Sequence, residues 1–451
     1  MDEAFTVLVA RQPVTAALGI LVEDGVHPPL FYLIQRAGLF LGSNEFFVRL
    51  PASVFGISGV GLTYFFVKKW IDSQTARFSA LLLVFAPFHL WYSQEARMYS
   101  LLYLISVAVM WGYFEFINRP TRWVYALFLT ISSLAYVTHY FALFLPLVQF
   151  IHLIIHFKEY YRKLKIWAGL QFMASVPLLM WIYSLSLRSF QHFGIGWIPE
   201  PTWKDLGASL VNFTIGYFQP LGVLGWIAVI CLLLLMVLGT HSLRKDRSIL
   251  SILILWAFFP PLVVFILSMR RAFYVDRFLI LSLPALLILL GAGVIKMGNK
   301  KGYLVGGIIL LLFAGRSYQV LSPAYNLTKE NWRQAIEYIS RQAATNEMIV
   351  LRRHLSWIPL QYYLKEKIPV EIMQMNQFSA SLDEITAGYD GAWLVYWNQS
   401  ADAHVLSSSV LFDPAKEVDP TAEVWISGRG PDLRERVDYN GVTLFHFILD
   451  P

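Results

Sequence analysis

The sequence predicts an all-α polytopic bundle of transmembrane helices followed by a small extracytoplasmic α/β domain. Of the 451 residues, 57% are hydrophobic and only 15% are charged, whereas soluble domains carry about 25% charged residues. The mean hydropathy is +0.53. Aromatic residues reach 16%, which suits the interfacial belts where amphipathic rings lie at headgroup depth. Most of the chain is therefore expected inside a membrane.

About ten apolar segments can serve as spans when the sequence is read with a window of roughly 19 residues. Because a helix needs about 20 apolar residues to cross the hydrocarbon core, and several of these segments are shorter, their ends are approximate. The expected spans are Leu50–Trp70, Phe78–Trp91, Leu101–Ile117, Trp123–Val137, Tyr140–Phe157, Ile166–Leu187, Leu221–Leu238, Ile249–Leu267, Phe278–Ile295 and Tyr303–Val320.

Alternate connections between these spans are basic, and by the positive-inside rule they are cytoplasmic. The basic connections are residues 68–77, 119–122, 158–165, 244–247 and 296–301. The other side then receives the N-terminal segment, the short connections 93–97 and 138–139, the loops 188–220 and 269–277, and everything after Leu321. We therefore expect a multi-pass protein of the inner (plasma) membrane whose reactive face and C-terminal domain lie on the periplasmic or extracellular side.

Three regions are expected along the chain. Residues 1–48 form a first outer loop, with an amphipathic helix over Glu3–Ala17 and a juxtamembrane helix over Leu30–Leu41. Residues 49–321 form the bundle, and residues 322–451 form the α/β domain, because helices and strands alternate there. The elements expected in that domain are a helix Trp332–Ala343, a strand Met348–Leu351, a helix near Trp357–Leu364, and strands Ala392–Trp397 and Val442–Phe447.

Charge and cysteine content exclude some classes of function. The net charge is +6, but the basic residues are scattered between apolar segments, as expected for loops facing anionic lipid. Nucleic acid is therefore not an expected partner. Cys231 is the single cysteine of the chain, so no intrachain disulfide can form.

Ionisable residues collect at the outer ends of the spans, where polar groups are costly and tend to be functional. An acidic pair, Asp2-Glu3, opens the chain, and His27 precedes two prolines. Residues 92–99 pack Glu95, Arg97 and Tyr99 into one short outer connection, and the turn after the fourth expected span holds His139-Tyr140. Taken one at a time, each feature also fits a solvated terminus, a helix start or an interfacial anchor.

Three arginines violate the positive-inside tendency. Arg270, Arg271 and Arg277 lie in an outer connection, and an anionic ligand would explain their presence there, because the guanidinium fork binds phosphate oxygens bidentately. Arg188 and His192 begin another outer loop that continues to Pro201 and is placed to close over a substrate. Outer carboxylates beside outer arginines suit glycosyl transfer from a lipid-linked phosphosugar. A carboxylate deprotonates the acceptor, and arginines stabilise the departing phosphate.

The order of short motifs resembles that of the GT-C membrane glycosyltransferases. The nearest likeness is to the bacterial branch related to protein O-mannosyltransferases and lipid A aminoarabinose transferases, glycosyltransferase family 39. The motifs are Asp2-Glu3-Ala4, His27-Pro28-Pro29-Leu30, Arg49-Leu50-Pro51-Ala52, Ser93-Gln94-Glu95-Ala96-Arg97-Met98-Tyr99, Thr138-His139-Tyr140-Phe141, Trp197-Ile198-Pro199 and Arg277-Phe278 with Pro284, followed by Glu330-Asn331-Trp332-Arg333 at the start of the last domain.

The resemblance implies an inverting transferase that uses a polyprenyl-phosphate sugar donor at a membrane surface. By the resemblance, Asp2 is the catalytic carboxylate, with Glu3 beside it and Glu95 as the acid of the next outer loop. The resemblance leaves open whether a divalent metal ion takes part, because some relatives place one between such acids and others need none. Its ligands here would be Asp2 and Glu95. The residues expected to bind donor phosphate or substrate are His27, Arg97, Tyr99, His139, Tyr140, Arg270, Arg271 and Arg277. The acceptor is expected to be a protein, a glycolipid or a cell-wall polymer. Because relatives carry a span before the acidic loop, we expect this chain to lack the first of theirs.

Two other classes of function remain alternatives. A transporter or flippase of lipid-linked sugars would bind its substrate near the bilayer midplane, often in broken helices of inverted repeats. The ionisable residues collect at one face instead, and no internal repeat is visible, which favours the enzyme. A receptor or scaffold acting through its last domain would leave the outer arginines unexplained.

Overall fold

The computed structural model describes residues 2–187, 198–217, 223–322, 330–351, 356–364, 368–372, 386–397, 428 and 430–449. The chain forms two compact units. One unit is Val9–Val320, and the other combines Met1–Leu8 with Leu321–Pro451. Apolar helices make up the first unit, and the second contains the β-sheet. The expected segments 188–197 and 218–222 of the long outer loop lie outside the described residues.

Fifteen α-helices lie in the described part of residues 2–321. They are α1 (Asp2–Arg11), α2 (Val14–Asp24), α3 (Leu30–Gly38), α4 (Glu45–Trp70), α5 (Ser73–Phe85), α6 (Pro87–Ser93), α7 (Tyr99–Asn118), α8 (Arg122–Tyr136), α9 (Phe144–Ile155), α10 (Phe157–Ser186), α11 (Trp203–Ile215), α12 (Val223–Ser242), α13 (Arg247–Ser268), α14 (Leu283–Lys296) and α15 (Asn299–Leu321). Two 3₁₀ turns, Tyr140–Leu143 and Asp276–Ser282, lead into α9 and α14.

The helices confirm the predicted polytopic bundle. Six described segments are long and apolar enough to cross a membrane: Glu45–Trp70, Tyr99–Asn118, Phe157–Ser186, Gly225–Ser242, Arg247–Ser268 and Asp276–Lys296. The other four expected spans coincide with α5–α6, α8, α9 with its preceding 3₁₀ turn, and α15. In the apolar 18-residue window of Asp276–Lys296, 94% of the residues are buried inside the protein, so α14 is a central helix of the bundle.

Proline divides two helices that the sequence predicted as continuous. The helix expected over Glu3–Ala17 is wrong as a single element, because α1 ends before Pro13 and α2 begins after it. The expected span Phe78–Trp91 is likewise split. There Ala86 is extended, with φ −69° and ψ 116°, and Pro87 starts α6. Proline lacks the N–H that continues a helix, and it disfavours helical backbone in the residue before it.

Two glycines let α12 and α14 touch through their backbones. A Cβ atom added to Gly239 would lie 1.9 Å from the carbonyl oxygen of Leu289, and one added to Gly293 would lie 1.8 Å from that of Leu235. Small residues at helix crossings allow this approach, and the close van der Waals packing that results drives helix association in membranes. The pair therefore sets how closely α12 can lie against α14.

The described residues of the second unit form a five-stranded mixed sheet with strand order β2-β1-β3-β5-β4. The strands are β1 (Glu347–Leu351), β2 (Val370–Ile372), β3 (Gly391–Trp397), β4 (Leu433–Tyr439) and β5 (Val442–Ile448), and the helices are α16 (Trp332–Gln342) and α17 (Trp357–Tyr363). Strand β1 pairs in parallel with β2 and β3, whereas β5 pairs antiparallel with β3 and β4. The predicted α/β domain is confirmed.

The sequence prediction missed two strands of this sheet. Strand β2 has only three residues, too few to show any alternation of apolar and polar side chains. Strand β4 is an edge strand with the sequence LRERVDY and mostly exposed side chains. Charged edge strands protect a sheet from pairing with other chains, but the same charges hide the strand from a reading based on hydrophobicity.

Candidate active site

Side chains from four separate parts of the first unit meet in one cluster, in which all members except the half-buried Arg277 are buried. The cluster consists of His27, Arg97, Tyr99, His139 and Arg277, all of which the sequence had singled out. Nη2 of Arg97 lies 3.3 Å from Nε2 of His27, and Nη1 of Arg97 lies 3.4 Å from the hydroxyl of Tyr32. The rings of His27 and His139 meet edge to face, with centroids 5.8 Å apart.

Phe278 packs at the centre of these groups. Its ring centroid lies 5.0 Å from that of His139 and 6.2 Å from that of Tyr99. The guanidinium of Arg277 lies 5.9 Å from the centre of the Tyr99 ring and 5.7 Å from that of Phe278. Cations at this distance from aromatic faces are held by cation–π attraction, so the aromatic rings help to place Arg277.

Local sequence explains how His27 reaches the cluster. Gly25 ends α2 in the left-handed conformation, with φ 66°, and its N–H donates to the carbonyl of Leu21. Pro28 and Pro29 then lead the chain into α3, whose first N–H, that of Leu30, donates to the carbonyl of Val137 at 3.1 Å. His27 is thereby held beside the turn that carries His139.

Tyr140 supports the same loop from the other side. Its hydroxyl donates to the carbonyl of Gly25 at 3.4 Å and accepts from Nε1 of Trp181 at 3.1 Å. The half-buried Tyr140 therefore ties α10 to the segment between α2 and α3. Its hydroxyl thus contacts the loop that carries His27.

Burial and positive charge keep both histidines neutral. His27 and His139 are 6% and 3% exposed. Burial, followed by the charges of Arg97, His139 and Arg277, holds the pKa of His27 well below its usual value. Burial and the same two arginines lower the pKa of His139 to about 3. The cluster therefore combines two permanent cations with two neutral imidazoles.

The contact with Arg97 assigns the tautomer of His27. A guanidinium can only donate hydrogen bonds, so Nε2 of His27 accepts and the imidazole proton lies on Nδ1. That atom is 4.0 Å from the carboxylate of Asp24. His27 thus orients Arg97 as a neutral acceptor. A cationic contact with phosphate, which the sequence suggested for His27, requires a proton that this environment disfavours.

Glu95 lies in the connection between α6 and α7, next to the cluster. Its side chain is half-buried, and its carbonyl accepts from the N–H of Arg97 at 2.7 Å. Nearby, the hydroxyls of Tyr92 and Tyr217 lie 2.7 Å apart, and the rings of Tyr92 and Tyr99 pack edge to face at 5.0 Å. The carboxylate of Glu95 interacts electrostatically with Tyr92, the residue whose ring packs on Tyr99 of the cluster.

The remaining expected site residues are the acidic pair at the start of the chain and two further arginines. Asp2 and Glu3 form the first turn of α1 and belong to the second compact unit. Arg270 and Arg271 are exposed in the connection after α13. Among the described residues, no group of three or more His, Cys, Asp or Glu side chains is close enough to hold a metal ion.

The structure adds a polar group that the sequence analysis missed. The carboxylate of Asp276, the residue before Arg277, accepts hydrogen bonds from the side chains of Ser209 and Asn212 on α11. The hydroxyls of Ser209 and Tyr274 lie 2.8 Å apart. An acidic residue at the start of an apolar span is itself a functional signal, and that signal singles out Asp276.

Comparisons with known proteins bear on the class of this fold. The profile of the family described as dolichyl-phosphate-mannose-protein mannosyltransferase matches residues 26–181, the part of the chain that carries His27, Glu95, Arg97 and His139. Comparison with curated protein sequences finds no match.

Two solved structures resemble the whole chain. ArnT from Cupriavidus metallidurans bound to undecaprenyl phosphate has a TM-score of 0.58 and 14% sequence identity, over 93% of this chain and 87% of that one. The apo state of the same protein has a TM-score of 0.54 and 13% identity, with the same coverage. This chain therefore has the fold of the GT-C membrane glycosyltransferases, and the resemblance inferred from its motifs is confirmed. It is a multi-pass membrane protein.

Proposed function

We propose that the protein is an inverting glycosyltransferase that moves a hexose or pentose from a polyprenyl-phosphate donor to an acceptor outside the cytoplasm. The observation that carries the proposal is the buried pairing of Arg97 with His27, beside Arg277 and Tyr99. The family match over residues 26–181 and the similar fold of an ArnT bound to undecaprenyl phosphate support it. The setting is the periplasmic or extracellular face of the inner membrane, by the positive-inside argument.

Arg97 and Arg277 are the groups that bind the donor phosphate in this proposal. A phosphodiester carries one negative charge, and the monoester that departs carries about 1.5 to 2 charges at neutral pH. Preformed cations therefore bind the leaving group more tightly than the donor, and that difference lowers the barrier. The effect is larger for Arg97 because it is only 4% exposed, where electrostatic interactions are less screened.

The remaining residues of the cluster shape the site around that phosphate. His27 orients Arg97, and His139 and Tyr99 contact the substrate beside Phe278. Tyr140 holds the loop of His27. Arg270 and Arg271, exposed on the outer connection, attract the anionic donor toward the site by long-range electrostatics.

The carboxylates carry the proton chemistry. Asp2 removes the proton from the acceptor nucleophile while that nucleophile attacks the anomeric carbon, and the bond from sugar to phosphate oxygen breaks on the opposite face. Configuration at the anomeric carbon is therefore inverted. Glu3 and Glu95 support this step by holding the acceptor, and Asp2 with Glu95 are the ligands to test if a divalent metal is required. The acceptor is a protein, a glycolipid or a cell-wall polymer.

Transfer of sugar from synthetic polyprenyl-phosphate donors to a panel of these acceptors tests the proposal. Wild-type protein in liposomes is expected to consume donor and release polyprenyl phosphate. Asp2→Asn should abolish turnover, with Glu3→Gln as the matched neighbouring change that retains part of it. Turnover that survives Asp2→Asn would show that another group is the base. Donor that crosses the liposome without being consumed would identify a flippase instead.

A further inference from the structure

The polar face of α11 is a feature that the proposed reaction does not use. Ser209 and Asn212, about one turn apart and both buried, point toward the segment between α13 and α14. Each donates to one carboxylate oxygen of Asp276. Asp205, one turn earlier, uses its own carboxylate to cap the start of α11, where it accepts from the N–H of Thr202 at 2.6 Å.

This arrangement anchors the backbone at the point where Arg277 begins. Tyr274 adds a second attachment to α11 through the hydroxyl of Ser209 at 2.8 Å. Residues 276 and 277 are the first two of the 3₁₀ turn Asp276–Ser282, and successive side chains there are roughly 120° apart because the turn has about three residues per revolution. Asp276 therefore faces α11 while Arg277 faces the rings of Tyr99 and Phe278.

We propose that Asp276 is a positioning residue that fixes Arg277 against the donor phosphate by clamping the start of the 3₁₀ turn onto α11. The inference rests on the proposed function, and it adds an element, α11, that lies outside the matched segment 26–181. Asp276 does not contact the reacting atoms. It acts through the direction that its anchored backbone gives to the next side chain.

The clamp has energetic consequences that a neutral contact would lack. Hydrogen bonds to a carboxylate are about twice as strong as those between neutral groups. The negative charge also stabilises the guanidinium of Arg277, with which it interacts electrostatically. Since a displacement of about 1 Å can cost on the order of 100-fold in rate, loosening this anchor should reduce catalysis without removing any group that touches substrate.

A double-mutant cycle between residues 276 and 277 tests this role. We expect Asp276→Asn to lower kcat/KM for the donor by about 10- to 100-fold, and Asp276→Glu to restore part of the loss. Arg277→Ala should cost at least as much. The double variant should be no worse than Arg277→Ala alone, because a residue that acts only through Arg277 has nothing left to position. KM for the acceptor should stay at the wild-type value in all of them.

Binding of undecaprenyl phosphate alone, to the same detergent-solubilised proteins, gives a readout that does not depend on turnover. Asp276→Asn and Arg277→Ala should each weaken this binding. In the double variant the two losses of affinity should again not be additive. Ser209→Ala should show a smaller loss of the same kind, whereas Ser268→Ala, which also removes a buried serine hydroxyl but one outside this group, should bind as wild type does.

The outcomes separate this inference from the proposed function. Two results would overturn the positioning role and show that Asp276 serves folding alone. One is additive losses of kcat/KM in the double-mutant cycle, and the other is an equal rise of KM for donor and acceptor. Absence of sugar transfer by the wild-type protein would overturn the proposed function instead. A non-additive effect on undecaprenyl phosphate binding would in that case still support the clamp.

Discussion

Nε2 of His27 lies 3.3 Å from Nη2 of Arg97, and both side chains are buried. The arginine can only donate, so the histidine is a neutral acceptor whose pKa is held well below its usual value by burial and by the surrounding cations. The role that we propose for His27 therefore differs from the one that the motif suggested. It orients the cation that binds phosphate and is not itself that cation.

Replacement of His27 should distinguish these roles. His27→Lys places a second cation beside Arg97 in a buried site, and an unpaired buried charge costs about 3–5 kcal/mol, so the free protein should unfold at a lower temperature. His27→Gln keeps an acceptor and should unfold near the wild-type temperature, with a raised donor KM. The check is thermal unfolding in detergent, with and without undecaprenyl phosphate. A lysine variant as stable as wild type without ligand would contradict the neutral assignment.

Stability should fall as the pH is lowered, because of His139. Its pKa is lowered from 6.5 to about 3 by burial and by Arg97 and Arg277, so the unfolded chain binds a proton that the folded protein excludes. The contribution is present in full above pH 6.5 and decreases below it, by up to about 1.4 kcal/mol per pH unit. Unfolding midpoints at pH 7.5 and 5.5 measure the slope.

The variant His139→Gln should reduce that slope, because glutamine does not titrate. His241→Gln, at an exposed position near the end of α12, serves as the control and should leave the slope at its wild-type value. Equal slopes for all three proteins would show that His139 titrates in the folded state much as it does in the unfolded chain.

Alanine at either crossing glycine should destabilise the bundle. In both Gly239→Ala and Gly293→Ala, the new methyl group meets a backbone oxygen of the opposite helix at under 2 Å. Since backbone cannot rotate away, α12 and α14 must separate, and overpacking of this kind costs about 1–3 kcal/mol. Gly169→Ala in α10 meets nothing within 4 Å and should be neutral or slightly stabilising. The measurement is the unfolding midpoint of each of the three variants. Equal midpoints would contradict the prediction.

Glu347 should be the most sensitive carboxylate of the sheet. It accepts from Nε1 of Trp393 at 2.7 Å and from Nε2 of His446 at 2.9 Å. Burial by itself raises the pKa of Glu347, but bonds from Trp393, the Ala344 N–H and His446 outweigh it, and the net pKa is lowered.

Loss of that charge in Glu347→Gln should destabilise the sheet by about 1–3 kcal/mol, because its buried partners lose a charged acceptor. The measurement is hydrogen exchange of the β1 and β3 amides in the full chain. Glu337→Gln breaks only an exposed pair with Arg341 and should change exchange little, since exposed pairs contribute about 0–1 kcal/mol. Equal protection in both variants would show that the buried network adds nothing to the sheet.

Much of the bundle follows from the sequence because a membrane demands long apolar helices. All the expected spans coincide with helices, and the alternation of basic connections predicts an orientation. The ends of the helices were harder to predict from the sequence. Pro13 and Pro87 split two elements, and apolarity alone could not show this because proline interrupts hydrogen bonding without changing hydrophobicity.

The candidate site likewise contains residues that the sequence identified and one that only the structure revealed. Residue type and motif order identified Arg97, His139 and Arg277 one by one, because cations on the outer side need a reason. The sequence analysis missed Asp276, since a single acid beside an arginine resembles an ordinary ion pair at the surface. Its significance lies in Ser209 and Asn212, more than 60 residues earlier in the chain.

Composition and the pattern of apolar segments by themselves determined that this chain crosses a membrane many times and that an α/β domain follows the bundle. Those properties depend on the free energy of transferring each segment from water to lipid, which the composition of that segment sets by itself. Tertiary structure alone decided that His27 is a buried hydrogen-bond partner of Arg97 and that α11 hydrogen-bonds Asp276, the residue before Arg277. The protonation state of a histidine and the direction of an arginine side chain depend on burial and on neighbours from distant parts of the chain. Both exist only after the helices have packed.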